Sequence, residues 1–198
     1  MQDYMTQELS ELINSSYSEN EASKYVEYSL KDQDYGLIVD LAKNVLSDFP
    51  AIHNCCAPMS AIWTAMIRNY TDIPVHMVAG SLDMRGKRIF GHNMNTDDMS
   101  QTFSKSNLDW DGHCWVVFGD CIGDISLFRT AYSEHTPEWL GEMISSQFGE
   151  GRGMLLGTPS QLLKYGLVYT PSYVLQDSEI TGLLSSVELI VNQQKRGE

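Results

Sequence analysis

A chain of 198 residues, 42% hydrophobic and 10% aromatic, carries enough apolar side chain to bury a core, and 20% charged residues suits an ordinary folded surface. With 26 acidic residues against 13 basic ones the net charge is -13, which repels a polyanion and excludes nucleic acid as a partner. No apolar run approaches the roughly 20 residues that cross a bilayer, and MQDYMTQELSELINSSYSEN has neither the basic start nor the apolar centre of an export signal. One domain, residues 1–198, is therefore expected in the cytoplasm and off the membrane.

Residues 1–50 read as a helical cover, with apolar positions at helical spacing: Leu9, Leu12 and Ile13, then Tyr25, Val26 and Leu30, then Leu37, Ile38, Leu41 and Val45. After Asp48-Phe49-Pro50, the stretch CCAPMSAIWTAMIRNY is apolar on nearly every face, which predicts a short buried helix. Pro58 fits only the first turn of that helix, so the helix begins within a residue or two of Cys56. The β-branched run after Pro74 predicts a strand over 75–82. The polar section 83–111 reads mostly as loop, with a short strand near 88–90.

DGHCWVVFGDCIGDISLF places apolar runs on both sides of Gly119-Asp120 and predicts a β-hairpin. Further on, Thr136-Pro137 opens a helix to residue 148, with threonine as cap and proline at the first helical position. EGRGMLLG is a glycine-bearing loop, Thr158-Pro159-Ser160-Gln161 is a capping box closed by Gly166, LVYTPSYVL reads as an extended strand pair, and 178–192 is a final amphipathic helix. The fold class is α+β, a buried helix packed on an antiparallel sheet, with helices at both ends of the chain.

The chemistry gathers on three residues. A thiol attacks as thiolate, and a helix N-terminus favours negative charge, so Cys56 is the candidate nucleophile. Cys55 is its rival, but only Cys56 has the small Ser60 at the fourth following position. If the hairpin turns at Gly119-Asp120, Phe118 faces Cys121, Trp115 faces Asp124 and His113 faces Ser126. His113 and Asp124 then project from one face as diagonal neighbours about 7 Å apart. An aspartate so placed fixes the tautomer and orientation of an imidazole that serves as base. Asp120 is the competing carboxylate, placed beyond the strand end by the turn. Trp115 shares the face and is placed to shield the pair from water; with Asn54, whose side-chain amide is suited either to help the backbone amide of Cys56 donate to an oxyanion or to cap the helix, it completes the candidate oxyanion and substrate-binding set.

Other readings of these residues are weaker. The four cysteines, Cys55, Cys56, Cys114 and Cys121, show no CxxC or HxxxH spacing, and free thiols fit better than disulfides, so neither metal nor cofactor is expected. A metal site of Cys56, His113 and Cys114 or Cys121 meets the alternation of the strand, which turns Cys114 away from His113. His53, His76, His92 and His135 read as surface or packing residues, although His53 lies within reach of the site from the entry loop. Arg129 reads as a structural partner of an acid, with a substrate carboxylate as the other option.

Cys56 opening a buried helix, Ser60, Asp72-Ile73-Pro74 before a strand with Gly80, His113-Cys114-Trp115 on one strand and Gly123-Asp124-Ile125-Ser126 on the next together resemble the transglutaminase-like superfamily of papain-like cysteine enzymes. The resemblance covers residues 54–128. It implies a papain-like core in which cysteine starts the central helix and histidine and aspartate stand on neighbouring strands. The sequence departs from the family beside the nucleophile, where Asn54, Cys55, Ala57 and Pro58 replace the usual Gly-Gln pair and aromatic residue. The function expected is cysteine-dependent acyl transfer through an acyl-thioester, as a peptidase, amidase or deamidase acting on a protein, a peptide or a small amide. A transglutaminase or N-acyltransferase is the alternative, as is an inactive papain-like interaction protein.

Overall fold

The computed structural model describes residues 2–49, 55–94, 99–104, 110–133 and 136–196. Three helices open the chain: α1 (Gln2–Ser16), α2 (Glu19–Glu27) and α3 (Asp32–Asp48). Ser18 caps α2 by accepting from the amide of Glu21, and the Asp34 carboxylate accepts from the amide of Lys31 at the start of α3. Helix α4 (Cys56–Tyr70) follows. It leads into β1 (Val75–Met84), which is two residues longer than the sequence predicts, and β2 (Lys87–Phe90). A short helix, α5 (Met99–Ser104), stands within the section read as loop.

The hairpin is β3 (His113–Phe118) and β4 (Cys121–Asp124), turning at Gly119-Asp120. Its register pairs Phe118 with Cys121, Val117 with Ile122 and Val116 with Gly123, which is the pairing the two-residue turn requires. Beyond it lie α6 (Leu127–Ala131), α7 (Glu138–Phe148), β5 (Leu155–Gly157), α8 (Pro159–Lys164), β6 (Leu167–Val174) and α9 (Asp177–Arg196).

Three expectations are corrected here. Pro137 itself occupies the cap position of α7, because the Thr136 hydroxyl turns back to the carbonyl of Thr130 at the end of α6. The second half of EGRGMLLG is strand β5, paired with β4, and not loop. LVYTPSYVL is one continuous strand rather than a pair. It passes through Pro171 because the register against β1 shifts there, pairing Gly80 with Pro171 and Ala79 with Tyr173. Glycine is required opposite that shift, since a Cβ on Gly80 would lie 2.1 Å from the carbonyl oxygen of Thr170.

The described strands form one antiparallel sheet in the order β2-β1-β3-β4-β5, with β6 also paired to β1. Both faces of the central strands are covered, so every residue of β3 is buried and the strand reads as a continuous apolar run. On one face α1 and α2 pack Leu9, Ile13, Ala22 and Tyr25 against Val78, Trp115 and Val117. On the other, α4 lies under α3, with Trp63 and Ile67 against Val116 and Phe118. Ala57 and Ala61 of α4 meet Cys114, and Leu175, Ile180 and Leu183 close this edge. The Trp63 indole donates to the carbonyl of Ile38 at 3.2 Å and ties α4 to α3. Gly123 lets α4 settle on the hairpin, since a Cβ there would meet the Trp63 ring at 2.7 Å.

His76, near the start of β1, is 2% exposed, has Tyr17 and Tyr25 edge-on to its ring, and neither ring nitrogen has a partner among the described residues. Burial, aided by the nearby Arg68 charge, pulls its pKa down to about 4. The unfolded chain binds the proton first on acidification, so this contribution to stability is complete above about pH 6.5 and is lost as the pH falls to about 4. The difference is about 3 kcal/mol. Urea unfolding at pH 7 and pH 4.5 is expected to show a smaller loss of stability for His76→Leu than for the native chain; an equal loss would mean that this histidine does not govern acid lability.

Candidate active site

The thiol of Cys56 stands at the first residue of α4, one residue after Cys55 in the cap position. Among the described residues no side chain caps that end, and the first turn contains Pro58, which has no N–H to satisfy. The amides of Cys56 and Ala57 therefore precede the first intrahelical hydrogen bond, from Met59 to the Cys55 carbonyl, and carry the positive end of the helix dipole. One turn on, Ser60 is fully buried and its hydroxyl donates to the carbonyl of Cys114 at 3.1 Å. This bond joins the first turns of α4 to the beginning of β3, where His113 lies.

The Nε2 of His113 and the Oδ2 of Asp124 are 2.6 Å apart, with both side chains out of contact with solvent. The diagonal neighbours of the hairpin thus close to a hydrogen bond. With Nε2 engaged, Nδ1 is the nitrogen left for Cys56, whose sulfur acts on the imidazole and raises it. Cys114, through its side chain and its backbone, likewise acts on the cysteine sulfur and lowers the Cys56 thiol. Alternation along β3 turns Cys114 toward α4 and His113 toward the opposite face, as the sequence implies. It does not separate either from Cys56, which reaches both because it lies at the helix end beside the strand's first residues.

Electrostatics follow from these contacts. Cys114 and then His113 hold the Cys56 thiol well below its ordinary pKa, against the opposing effect of burial. Burial works against charge on His113 too, but Asp124 and the Cys56 sulfur outweigh it and raise the imidazole. Asp124 is lowered, its desolvation overcome by His113, Tyr169 and backbone amides. The arrangement favours a thiolate beside an imidazolium. Cys55 contrasts with its neighbour: it is 1% exposed and burial pushes it up to about 12.

Asp124 is held on every side. Its Oδ1 accepts from the amides of Ser126 and Leu127, each at 2.9 Å, and from the Ser126 hydroxyl at 3.2 Å, so the same carboxylate starts α6. Its Oδ2 receives the Tyr169 hydroxyl at 2.8 Å beside His113. Tyr169 comes from β6, and sequence reasoning passes over it. Its only signal is a tyrosine at a buried position of an alternating strand, and the pairing of β6 with β1 is what brings it to the site.

Aromatic rings enclose the imidazole. Phe90 stacks on His113 with centroids 4.7 Å apart and an 11° tilt, because Leu82 pairs with Phe90 and Gly80 with His113 along one edge of β1. Trp115 is wholly buried behind the ring, T-shaped against Tyr169 at 5.1 Å, a place that suits a wall against water. Asp111 accepts from the amides of Gly91 and Asn93 and pins the chain that follows Phe90. An apolar cavity of 210 Å³ lies beyond Tyr169, walled by Leu162, Leu167 and Pro171 with neither Cys56 nor His113 in its lining.

The remaining candidates fall outside this group. Asn54, His53 and His135 lie outside the described residues. Asp120 is exposed in the turn, and His92 is exposed. Arg129 donates to the carbonyls of Leu46 and Phe49 at the end of α3. All four cysteines are free thiols, and among the described residues no group of three or more His, Cys, Asp or Glu side chains is arranged to hold a metal ion. No protein-family model, no curated protein and no solved structure matches the chain.

Tyr169→Phe removes one donor from a buried carboxylate, at a cost of about 2 kcal/mol. The variant is expected to fold with a lower melting temperature and to shift the acid limb of Cys56 alkylation by iodoacetamide toward higher pH, because the less restrained Asp124 supports the imidazolium less well. An unchanged pH profile would reduce the phenol to a packing role.

Proposed function

We propose that the chain is a cysteine-dependent acyl-transfer enzyme of transglutaminase-like, papain-like type, with Cys56 as nucleophile, His113 as acid and base and Asp124 as the residue that orients the imidazole. The observation that carries this reading is the 2.6 Å bond from His113 Nε2 to Asp124, with the imidazole coupled to a thiol at the start of a buried helix. The α+β architecture, with α4 packed on an antiparallel sheet, supports it.

The chemistry runs in two steps. The Cys56 thiolate adds to the carbonyl carbon of an amide, and the negative charge that develops on oxygen is met by the amides of Cys56 and Ala57. The tetrahedral adduct collapses as the His113 imidazolium gives its Nδ1 proton to the leaving nitrogen, which leaves an acyl-thioester and a neutral imidazole. Nδ1 then takes a proton from water, whose oxygen attacks the thioester and regenerates thiolate, imidazolium and a free acid. An amine in place of that water would give transfer instead. A protein, a peptide or a small amide is the substrate class, and hydrolysis or deamidation is the preferred outcome. The four free thiols suit the reducing cytoplasm. Among the described residues no helix is long and apolar enough to cross a membrane.

The test begins with the thiol. Iodoacetamide is expected to label Cys56 fastest, with Cys55 untouched, and to label it much more slowly in His113→Ala. Reactivity should persist below neutral pH, since the Cys56 thiol is lowered, and disappear only once acid protonates it. In Asp124→Asn the amide nitrogen donates to Nε2 and forces the proton onto Nδ1, where it blocks the base. Turnover of any amide found by screening fluorogenic substrates should then fall by on the order of 10⁴-fold with the fold retained. Preferential labelling of Cys55, or full turnover by Asp124→Asn, would refute the assignment and leave the chain as a binding protein.

A further inference from the structure

We propose that Cys56 and Cys114 form a reversible disulfide when the protein meets a hydroperoxide, so that the strand beneath the site carries a resolving thiol for its own nucleophile. The proposal rests on the reading of Cys56 as an ionised nucleophile. It goes beyond that reading by giving a role to Cys114, for which acyl transfer has no use.

Three observations place the pair. Cys56 packs against the apolar cluster that contains Cys114, and each thiol shifts the titration of the other. The Ser60 hydroxyl on the Cys114 carbonyl holds the first turns of α4 against this residue of β3, and Ala57 and Ala61 pack on it with side chains too small to separate helix from strand. Exposure then differs between the partners. Cys56 is partly exposed, whereas Cys114 is wholly buried. Burial raises the Cys114 thiol well above its ordinary value, so it waits protonated while Cys56 reacts.

The steps balance. The Cys56 thiolate attacks the terminal oxygen of the peroxide, the O–O bond breaks, and the departing alkoxide or hydroxide takes the proton of the His113 imidazolium, giving Cys56 sulfenic acid and an alcohol or water. The Cys114 sulfur then attacks the sulfenic sulfur, the S–O bond breaks, and the hydroxide leaves as water with the Cys114 proton, by way of the neutral imidazole. Two thiols lose two electrons and the peroxide gains them. Closure brings the two sulfurs to about 2.05 Å. The bond removes the thiolate, so the acyl-transfer site is off until a dithiol reduces it, and it stops oxidation before the irreversible sulfinic acid.

The test uses the full reduced chain and one equivalent of hydrogen peroxide. Peptide mapping is expected to show a single cross-link between the Cys56 and Cys114 peptides, cleaved by dithiothreitol, with iodoacetamide labelling of Cys56 lost on oxidation and restored on reduction. In Cys114→Ser, which keeps the size and polarity of the side chain, and in Cys114→Ala, Cys56 should instead be trapped as sulfenic acid by dimedone and pass on to sulfinic acid. Sulfinic acid at Cys56 in the native chain, a Cys55–Cys56 link or no cross-link at all would overturn the proposal. The enzyme reading is judged apart from it, by the His113-dependent labelling of the reduced chain: that labelling without a cross-link leaves the enzyme and removes the switch.

Discussion

Taking a carboxylate out of water costs several kcal/mol unless its oxygens are fully satisfied, and Asp124 meets that condition with five hydrogen bonds drawn from three parts of the chain. Its position at the end of β4 fixes where α6 begins. Its second oxygen holds the imidazole of β3 and the phenol of β6 at once. Breaking such a buried pair by removing one partner typically costs 3–5 kcal/mol, so the geometry of the site and the integrity of this corner of the sheet are one property. Most of the chemistry inferred for the protein depends on this carboxylate remaining charged.

From Asp124 the influence passes outward through contacts that each have a local cause. The imidazole is raised by the carboxylate and in turn favours the thiolate at the start of α4. Phe90 and Trp115 limit the water that would screen those charges, and a lower local dielectric strengthens every interaction among them. The thiol side is held differently. Ser60 and the two alanines of α4 set the helix close to β3, and that closeness brings Cys114 near Cys56. One contact therefore supports both the proposed acyl-transfer chemistry and the proposed protection against peroxide.

The two vicinal cysteines show how sharply environment divides identical chemistry. Cys55 faces the apolar cluster of Phe49, Met59 and Trp63, where burial holds it as a thiol. Cys56, one residue on, turns to donors and a cation. The 100° step between successive residues around a helix separates the two side chains, and a shift of the helix start by one residue would put Cys55 in the place of Cys56.

Local rules in the sequence determined much of this. Pro58 restricted the start of α4, and the Gly119-Asp120 turn set a hairpin register that puts His113 and Asp124 on one face, because side chains alternate with period two and a two-residue turn leaves no freedom to slip. The capping box of α8 was legible for the same reason. Long-range pairing was not. That β6 runs unbroken through Pro171 beside β1, that Tyr169 thereby reaches Asp124, and that Phe90 stacks on His113 because β2 and β3 share an edge of β1 all depend on residues distant in the chain, whose meeting no local spacing encodes. The contact of Cys114 with Cys56 likewise needed the helix placed against the sheet: alternation says which way a side chain leaves its strand, and only tertiary packing decides what waits there.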